Sequence, residues 1–182
     1  MNYEQLSKEL SYMLRHAPEE YGIELDQNGF TSLDNVIAAL QEESRWNNIS
    51  INDIKKAIDC SSKKRHEIVG NRIRAIYGHS INQKIESVEK IPPNYLYHGT
   101  THKAAEIIKE EGLTPQARQY IHLSEDKETA LEVGKRRESN PVLFQIDSKL
   151  AYQEGIKFYH GNENIWLSEV VPSRYLKIVT LK

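Results

Sequence analysis

The sequence holds one cysteine, Cys60, in 182 residues. A single thiol excludes an internal disulfide framework and points to a reducing compartment. No apolar run is long enough to span a bilayer, so no membrane partner is expected. The opening MNYEQLSKELSYML lacks the basic-then-apolar pattern of a signal peptide, and the expectation is a cytoplasmic protein. Neither sign of charge dominates: 24 Lys and Arg face 26 Asp and Glu, for a net charge of −2. Composition therefore carries no global nucleic-acid signature. No G-x-G-x-x-G follows a strand and there is no P-loop, so nothing supports a Rossmann or P-loop phosphate site. His98 and His102 have the spacing of a zinc pair on a helix, but Gly99 and two threonines lie between them. No third ligand is evident, and no metal is expected. Internal repeats and low-complexity segments are also missing.

What is present reads as two lobes in order. Leu6, Leu10, Met13 and Leu14 recur at helical spacing and predict a helix over Tyr3 to Arg15. Pro18 ends it, leaving Arg15 and His16 near the helix C-terminus, where the dipole favours cations. Ser32 is a good N-cap for a second helix, and Asn52 for a third carrying Ile54, Ala57 and Ile58. His66–Val69 and Arg72–Ile76 flank Gly70-Asn71, a two-residue hairpin signal. Three helices and a hairpin describe a winged-helix lobe. Between Lys55 and Arg74 stand seven Lys or Arg and two acids, a local basic run suited to a phosphate-bearing partner. The segment from Asn82 to Asn94, with Pro92-Pro93, reads as a linker.

A second lobe opens with the strand Tyr95-Leu-Tyr-His98, then Gly99 and Thr100, then a helix from His102 to Glu111 ended by Gly112. Gly99 would let the backbone approach a ligand closely. Arg118–Ser124 reads as an alternating strand with His122, Ser124 and Tyr120 on one face. Ser124 or Asp126 caps a helix towards Arg137; Val142–Asp147 is a strand, and shorter strands follow at Lys157–His160, Ile165–Leu167 and Tyr175–Leu181. The second lobe is thus expected to be a mixed sheet with few helices, and the fold class α+β.

Eight blocks in order resemble the RNA 2′-phosphotransferase family. They include Leu14-Arg15-His16-x-Pro18, Lys63-Lys64-Arg65, Ile73-Arg-Ala-x-x-Gly78-His79-Ser80 and Tyr97-His98-Gly99-Thr100. Further along stand Arg118-x-x-Ile121-His122-Leu123-Ser124, Val133-Gly134-x-Arg136, Pro141-Val142-Leu143 and Gly161-x-x-Asn164-Ile165-Trp166-Leu167. The resemblance implies a winged-helix RNA lobe over residues 1–90 and an ADP-ribosyltransferase-like lobe over 91–182 that binds NAD⁺, consumed as co-substrate. It implies a monomer acting on RNA with a 2′-phosphate, such as a tRNA. The phosphate attacks the anomeric carbon of the nicotinamide ribose; the ribose 2″-hydroxyl then attacks the phosphate, releasing 2′-OH RNA and ADP-ribose 1″,2″-cyclic phosphate.

Residue by residue, the resemblance places catalysis on Arg15, His16, Arg65 and Arg118. The arginines hold the phosphate, and His16 protonates the departing RNA oxygen. The NAD⁺ pocket falls on His98, Gly99, Thr100, His122, Ser124 and Ile165. Two positions depart from the pattern: His66 stands where an aromatic is usual, and Gln119 replaces a histidine beside Arg118. His79 and Ser80 carry no assigned role, and His102 and His160 match no motif. Two rivals stay open: an ADP-ribosyltransferase that stops after the first step, and a nucleic-acid-binding module with an inert second lobe.

Overall fold

The Asn2 side chain accepts a hydrogen bond from the Gln5 N–H at 3.1 Å and opens α1, Tyr3–Arg15. Leu6, Leu10, Met13 and Leu14 share one stripe of it and are fully buried. His16 is the C-cap, and Pro18 begins a short 3-10 turn, Pro18–Tyr21. The computed structural model describes residues 1–61 and 63–180. Contacts gather the chain into two units, Met1–Glu86 and Ser87–Lys182, each with its own apolar core.

In the first unit, the two-residue β1, Thr31–Ser32, leads into α2, Leu33–Gln41, with Ser32 at the N-cap position. The third helix, α3, Ile51–Asp59, starts earlier than Asn52 would set it. Ser50 caps it, because its hydroxyl and N–H both donate to the Asp53 carboxylate, at 2.6 and 3.0 Å. That reciprocal box outcompetes a lone asparagine two residues on. The hairpin β2, His66–Val69, and β3, Arg72–Ala75, turns at Gly70, whose φ of +60° suits glycine. Ile76 falls beyond the strand. The sheet order is β1-β3-β2, antiparallel throughout, and Ile73 of β3 packs into the core that α1, α2 and α3 share.

The second unit runs β4 (Tyr95–Thr100), α4 (His102–Glu111), β5 (Ile121–Ser124), α5 (Lys127–Lys135) and β6 (Val142–Asp147). It continues with α6 (Ser148–Gln153), β7 (Phe158–Asn162), β8 (Ile165–Ser168) and β9 (Leu176–Val179). The strands form one sheet, β7-β8-β5-β4-β6-β9, and every described pairing is antiparallel. The expected mixed sheet is therefore corrected. A strand–helix–strand order suggests parallel crossover units, but the stretch from Leu113 to Tyr120 reverses the chain before β5, so β4 and β5 meet antiparallel.

Two local expectations also change. Residues Arg118 to Tyr120 are a turn rather than strand, following Gln116 in the left-handed region at φ 56°. The short helix α6 is unannounced in the sequence; the Asp147 carboxylate caps it by accepting from Leu150 N–H at 3.1 Å. The last expected strand is shorter than drawn, with Tyr175 in a 3-10 turn and Leu181 outside the described residues. Helices and two antiparallel sheets make the chain an α+β protein. Among the described residues no helix is long and apolar enough to cross a membrane.

Candidate active site

The end of α1 presents Arg15 and His16 to one side of the first unit. The Arg15 guanidinium donates to the Arg65 carbonyl at 3.3 Å and lies over the Tyr77 ring, 5.2 Å from its centre. Arg65 in turn donates to the Ser61 hydroxyl at 2.7 Å, and that hydroxyl donates to the Lys63 carbonyl at 2.9 Å. Arg15, His16 and Arg65 thus line one cavity of about 630 Å³, together with Ser11, Tyr12 and Cys60. Two planar forks and an imidazole on one cavity suit a phosphate ester, because guanidinium stays charged and matches phosphoryl oxygens in pairs.

A strap at residues 77–80 closes over the helix end. Ser80 N–H donates to the Arg15 carbonyl at 2.9 Å, and its hydroxyl meets His16 Nδ1 at 2.8 Å. Gly78 takes φ +93°, and a Cβ there would stand 3.4 Å from an Arg15 guanidinium nitrogen. Nothing in the sequence pairs position 16 with position 80; only the block order around Gly78-His79-Ser80 hinted at the site.

Two buried histidines lie behind the arginines. Ser11 gives its hydroxyl proton to the Ser7 carbonyl, so it accepts from His66 Nε2–H, at 3.1 Å. Burial foremost, then the Arg15 and Arg65 charges, pushes the His66 pKa down to about 3. His79 is pushed down to about 4 by burial and by the charges of Arg15, His16 and Arg74, and its Nε2 has no hydrogen-bond partner. Both rings are neutral at physiological pH. The basic run is less exposed as charge than it reads: Arg72 and Arg74 flank the Phe30 ring at 4.6 and 4.5 Å and pair with Asp26 and Glu67.

In the second unit β4 and β5 pair at a single position, Tyr97 with Ser124, and Ser124 pairs onward with Ile165. Tyr97, buried Ser124 and Ile165 therefore form one cross-strand row on one face. His98 and Thr100 alternate to the other face of β4, so the candidate NAD⁺ residues are not all on one side of the sheet. His98 reaches back: its Nδ1–H donates to the His122 carbonyl at 3.0 Å. A carbonyl can only accept, which fixes the proton on Nδ1 and leaves Nε2 with its lone pair. Burial lowers the His98 pKa, the bond to His122 opposing it. Arg118, in the turn before β5, donates to His122 Nδ1 at 2.6 Å, so His122 is neutral with its proton on Nε2.

Gly99 has a packing reason for its identity. A Cβ there would stand 2.0 Å from the Ala130 carbonyl oxygen of α5, and one at Gly134 would stand 2.6 Å from Pro141 Cβ and 3.1 Å from the Gly99 carbonyl carbon. Helix α5 rests directly on β4 through the two glycines. His102 is committed to Glu138, its N–H donating at 2.8 Å, and the ring of His160 stacks edgewise on Trp166 at 5.0 Å. Neither belongs to the clusters above.

A model of the RNA 2′-phosphotransferase, Tpt1/KptA family matches residues 2–170. A probable RNA 2′-phosphotransferase of Acetivibrio thermocellus is 50% identical over 177 residues, covering 97% of each chain. One of Bacillus thuringiensis subsp. konkukian is 47% identical over 176 residues, covering 97% of this chain and 95% of its own. One of Thermococcus kodakarensis is 38% identical over 168 residues, 92% of both.

Proposed function

This chain belongs to the RNA 2′-phosphotransferase family, and on that premise we propose that it removes an internal 2′-phosphate from RNA by transferring it to NAD⁺. The observation that carries the proposal is the convergence of Arg15, His16 and Arg65 on one cavity in a chain with that kinship. The first unit is the RNA lobe, a winged helix in its order of three helices and a hairpin; the second is the ADP-ribosyltransferase-like lobe that takes NAD⁺.

The chemistry follows from the groups present. The 2′-phosphate arrives ionised and needs no base, so displacing nicotinamide from the ribose chiefly requires the phosphate to be held in line. Arg15 and Arg65 of the first unit supply that hold, and the family resemblance assigns Arg118 of the second unit to the same phosphate. In the second step the ribose 2″-hydroxyl attacks phosphorus, negative charge spreads over the phosphoryl oxygens, and fixed guanidinium charge is what lowers that barrier. His16 gives a proton to the departing RNA 2′-oxygen. For the dinucleotide, His98 Nε2 is an acceptor suited to a ribose hydroxyl, with its ring held by the bond to His122. Thr100 shares the His98 face of β4; Gly99, packed against α5, and His122, Ser124 and Ile165, on the opposite face, are assigned to the dinucleotide by the family resemblance.

The test is incubation with NAD⁺ and a short RNA bearing one internal 2′-phosphate, with products resolved. The expected products are 2′-OH RNA, nicotinamide and ADP-ribose 1″,2″-cyclic phosphate. Accumulation of ADP-ribosylated RNA as the wild-type end product would favour an ADP-ribosyltransferase, and no NAD⁺ consumption would leave a binding module.

A further inference from the structure

We propose that Ser80 is a positioning residue for His16: its hydroxyl accepts the Nδ1 proton and so makes Nε2 the nitrogen that delivers a proton to the RNA oxygen. This rests on the phosphotransferase reading above. The geometry behind it is a two-point attachment. The Ser80 N–H is bonded to the carbonyl of Arg15, the residue before His16, while the Ser80 hydroxyl is bonded to the His16 ring at 2.8 Å. One residue therefore fixes both the backbone that carries the imidazole and the rotation of the ring.

His16 is exposed at a helix end, with the Tyr12 ring tilted beside it at 6.3 Å. As an imidazolium, both its nitrogens are donors, so the Ser80 oxygen must accept from Nδ1–H. When the second step runs, the ribose 2″-oxygen bonds phosphorus and its proton passes to solvent, the phosphorus–oxygen bond to RNA breaks, and the Nε2 proton moves to the departing 2′-oxygen to form the RNA hydroxyl. The ring is left neutral with its remaining proton on Nδ1, still donated to Ser80. The bond therefore survives the transfer unchanged, and solvent returns a proton to Nε2. A carboxylate in place of the hydroxyl would hold the ring more tightly but stabilise its cation, making a poorer acid. A hydroxyl orients without adding that charge. The rest of the strap keeps Ser80 in reach: Tyr77 lies beneath the Arg15 guanidinium and Gly78 takes a positive φ against it.

Ser80→Ala removes the hydroxyl and keeps the backbone bond to Arg15, so the fold is retained; Ser80→Thr restores a hydroxyl. Single-turnover assays should show the first step of Ser80→Ala within about twofold of wild type. The second step should slow about tenfold or more, part of the ~100- to 10,000-fold that a general acid contributes. ADP-ribosylated RNA should accumulate, and Ser80→Thr should recover the second step. Equal slowing of both steps, no slowing, or a threonine variant as slow as the alanine one overturns the proposal. Nitrogen-15 shifts of the His16 ring give a readout independent of turnover. The neutral wild-type ring should carry its proton on Nδ1, and Ser80→Ala should lose that preference. If the wild type leaves the 2′-phosphate on RNA, the phosphotransferase reading falls, while ring shifts that are the same in Ser80→Ala refute the Ser80 contact itself.

Discussion

Acid should destabilise the first unit through His66 and His79, and the size of the effect follows from their burial. In the folded chain both rings stay neutral until the pH approaches about 3 for His66 and about 4 for His79. In the unfolded chain each titrates at its ordinary value of 6.5. Between those limits the unfolded state binds more protons, so stability falls as pH drops through 6.5 and goes on falling until the folded rings themselves titrate. At pH 5, about 1.5 units below the unfolded value, each histidine costs about 2 kcal/mol relative to pH 8, and the two together about 4 kcal/mol. That is a large share of a typical domain's 5–15 kcal/mol. Because pH 5 lies above both folded values, the figure depends only weakly on where below it they fall.

The assay is urea unfolding at pH 8 and pH 5, followed by Trp46 fluorescence in a Trp166→Phe background. His66→Phe supplies the control, being neutral at every pH and close in shape to the ring it replaces. Carboxylates contribute their own pH dependence, but they contribute it to both proteins. The loss between pH 8 and pH 5 should be smaller in His66→Phe by about 2 kcal/mol. Equal losses in the two proteins would refute the assignment of His66 as a buried neutral ring.

Four further outcomes are expected. Arg65→Ala and Arg118→Ala should each lower turnover by about 100- to 1,000-fold, with ADP-ribosylated RNA building up, as the loss of one fixed charge at a developing anion does; a complete reaction at wild-type rate would remove that residue from the site. His98→Phe should raise KM for NAD⁺ more than it lowers kcat, since it deletes a binding acceptor; an unchanged KM in steady-state kinetics would count against the pocket. Gly99→Ala should lower stability by about 3 kcal/mol or more, because its Cβ would enter the Ala130 carbonyl; calorimetry showing an unchanged Tm would contradict the packing. Asp126→Ala should cost about 1 kcal/mol in thermal unfolding, by removing the side-chain bond to Thr129 N–H at 2.7 Å that caps α5.

Much of this was legible in the sequence, and the failures share a physical cause. Helix α4 and strand β6 are bounded as the sequence reads, because Thr101 and Gly112 punctuate the first and the second is a short, largely apolar run stopped at Asp147. The α3 cap was misplaced because a capping box is a two-residue device, and Asp53 had to be credited to Ser50. Arg118–Tyr120 alternates like a strand yet turns, since alternation records which side chains are inward and not whether a neighbour accepts the hydrogen bonds. The family resemblance pointed to Arg15, His16, Arg65 and Arg118; the first three line one cavity of the first unit, while Arg118 lies in the second unit on His122. What the sequence withheld was contact between distant positions: Ser80 with His16, and Ser11 with His66, whose hydroxyl gives a ring nitrogen the partner that an aromatic there would not require.

The seam between β4 and α5 constrains how such a sequence can drift. At Gly99 the obstacle is the backbone of α5, and at Gly134 it is Pro141 and the backbone of β4, so a shift of the helix that relieved one glycine would have to disturb a strand–helix contact along its whole length. Single changes at either position are blocked, and compensation demands a coordinated move of neighbours that a stepwise walk does not offer. Randomising both positions together and selecting for folding should return glycine at each, while an exposed position of the same helix such as Lys135 should accept most helix-forming residues. The two glycines are fixed points of this scaffold, set by backbone contact rather than by chemistry at the site.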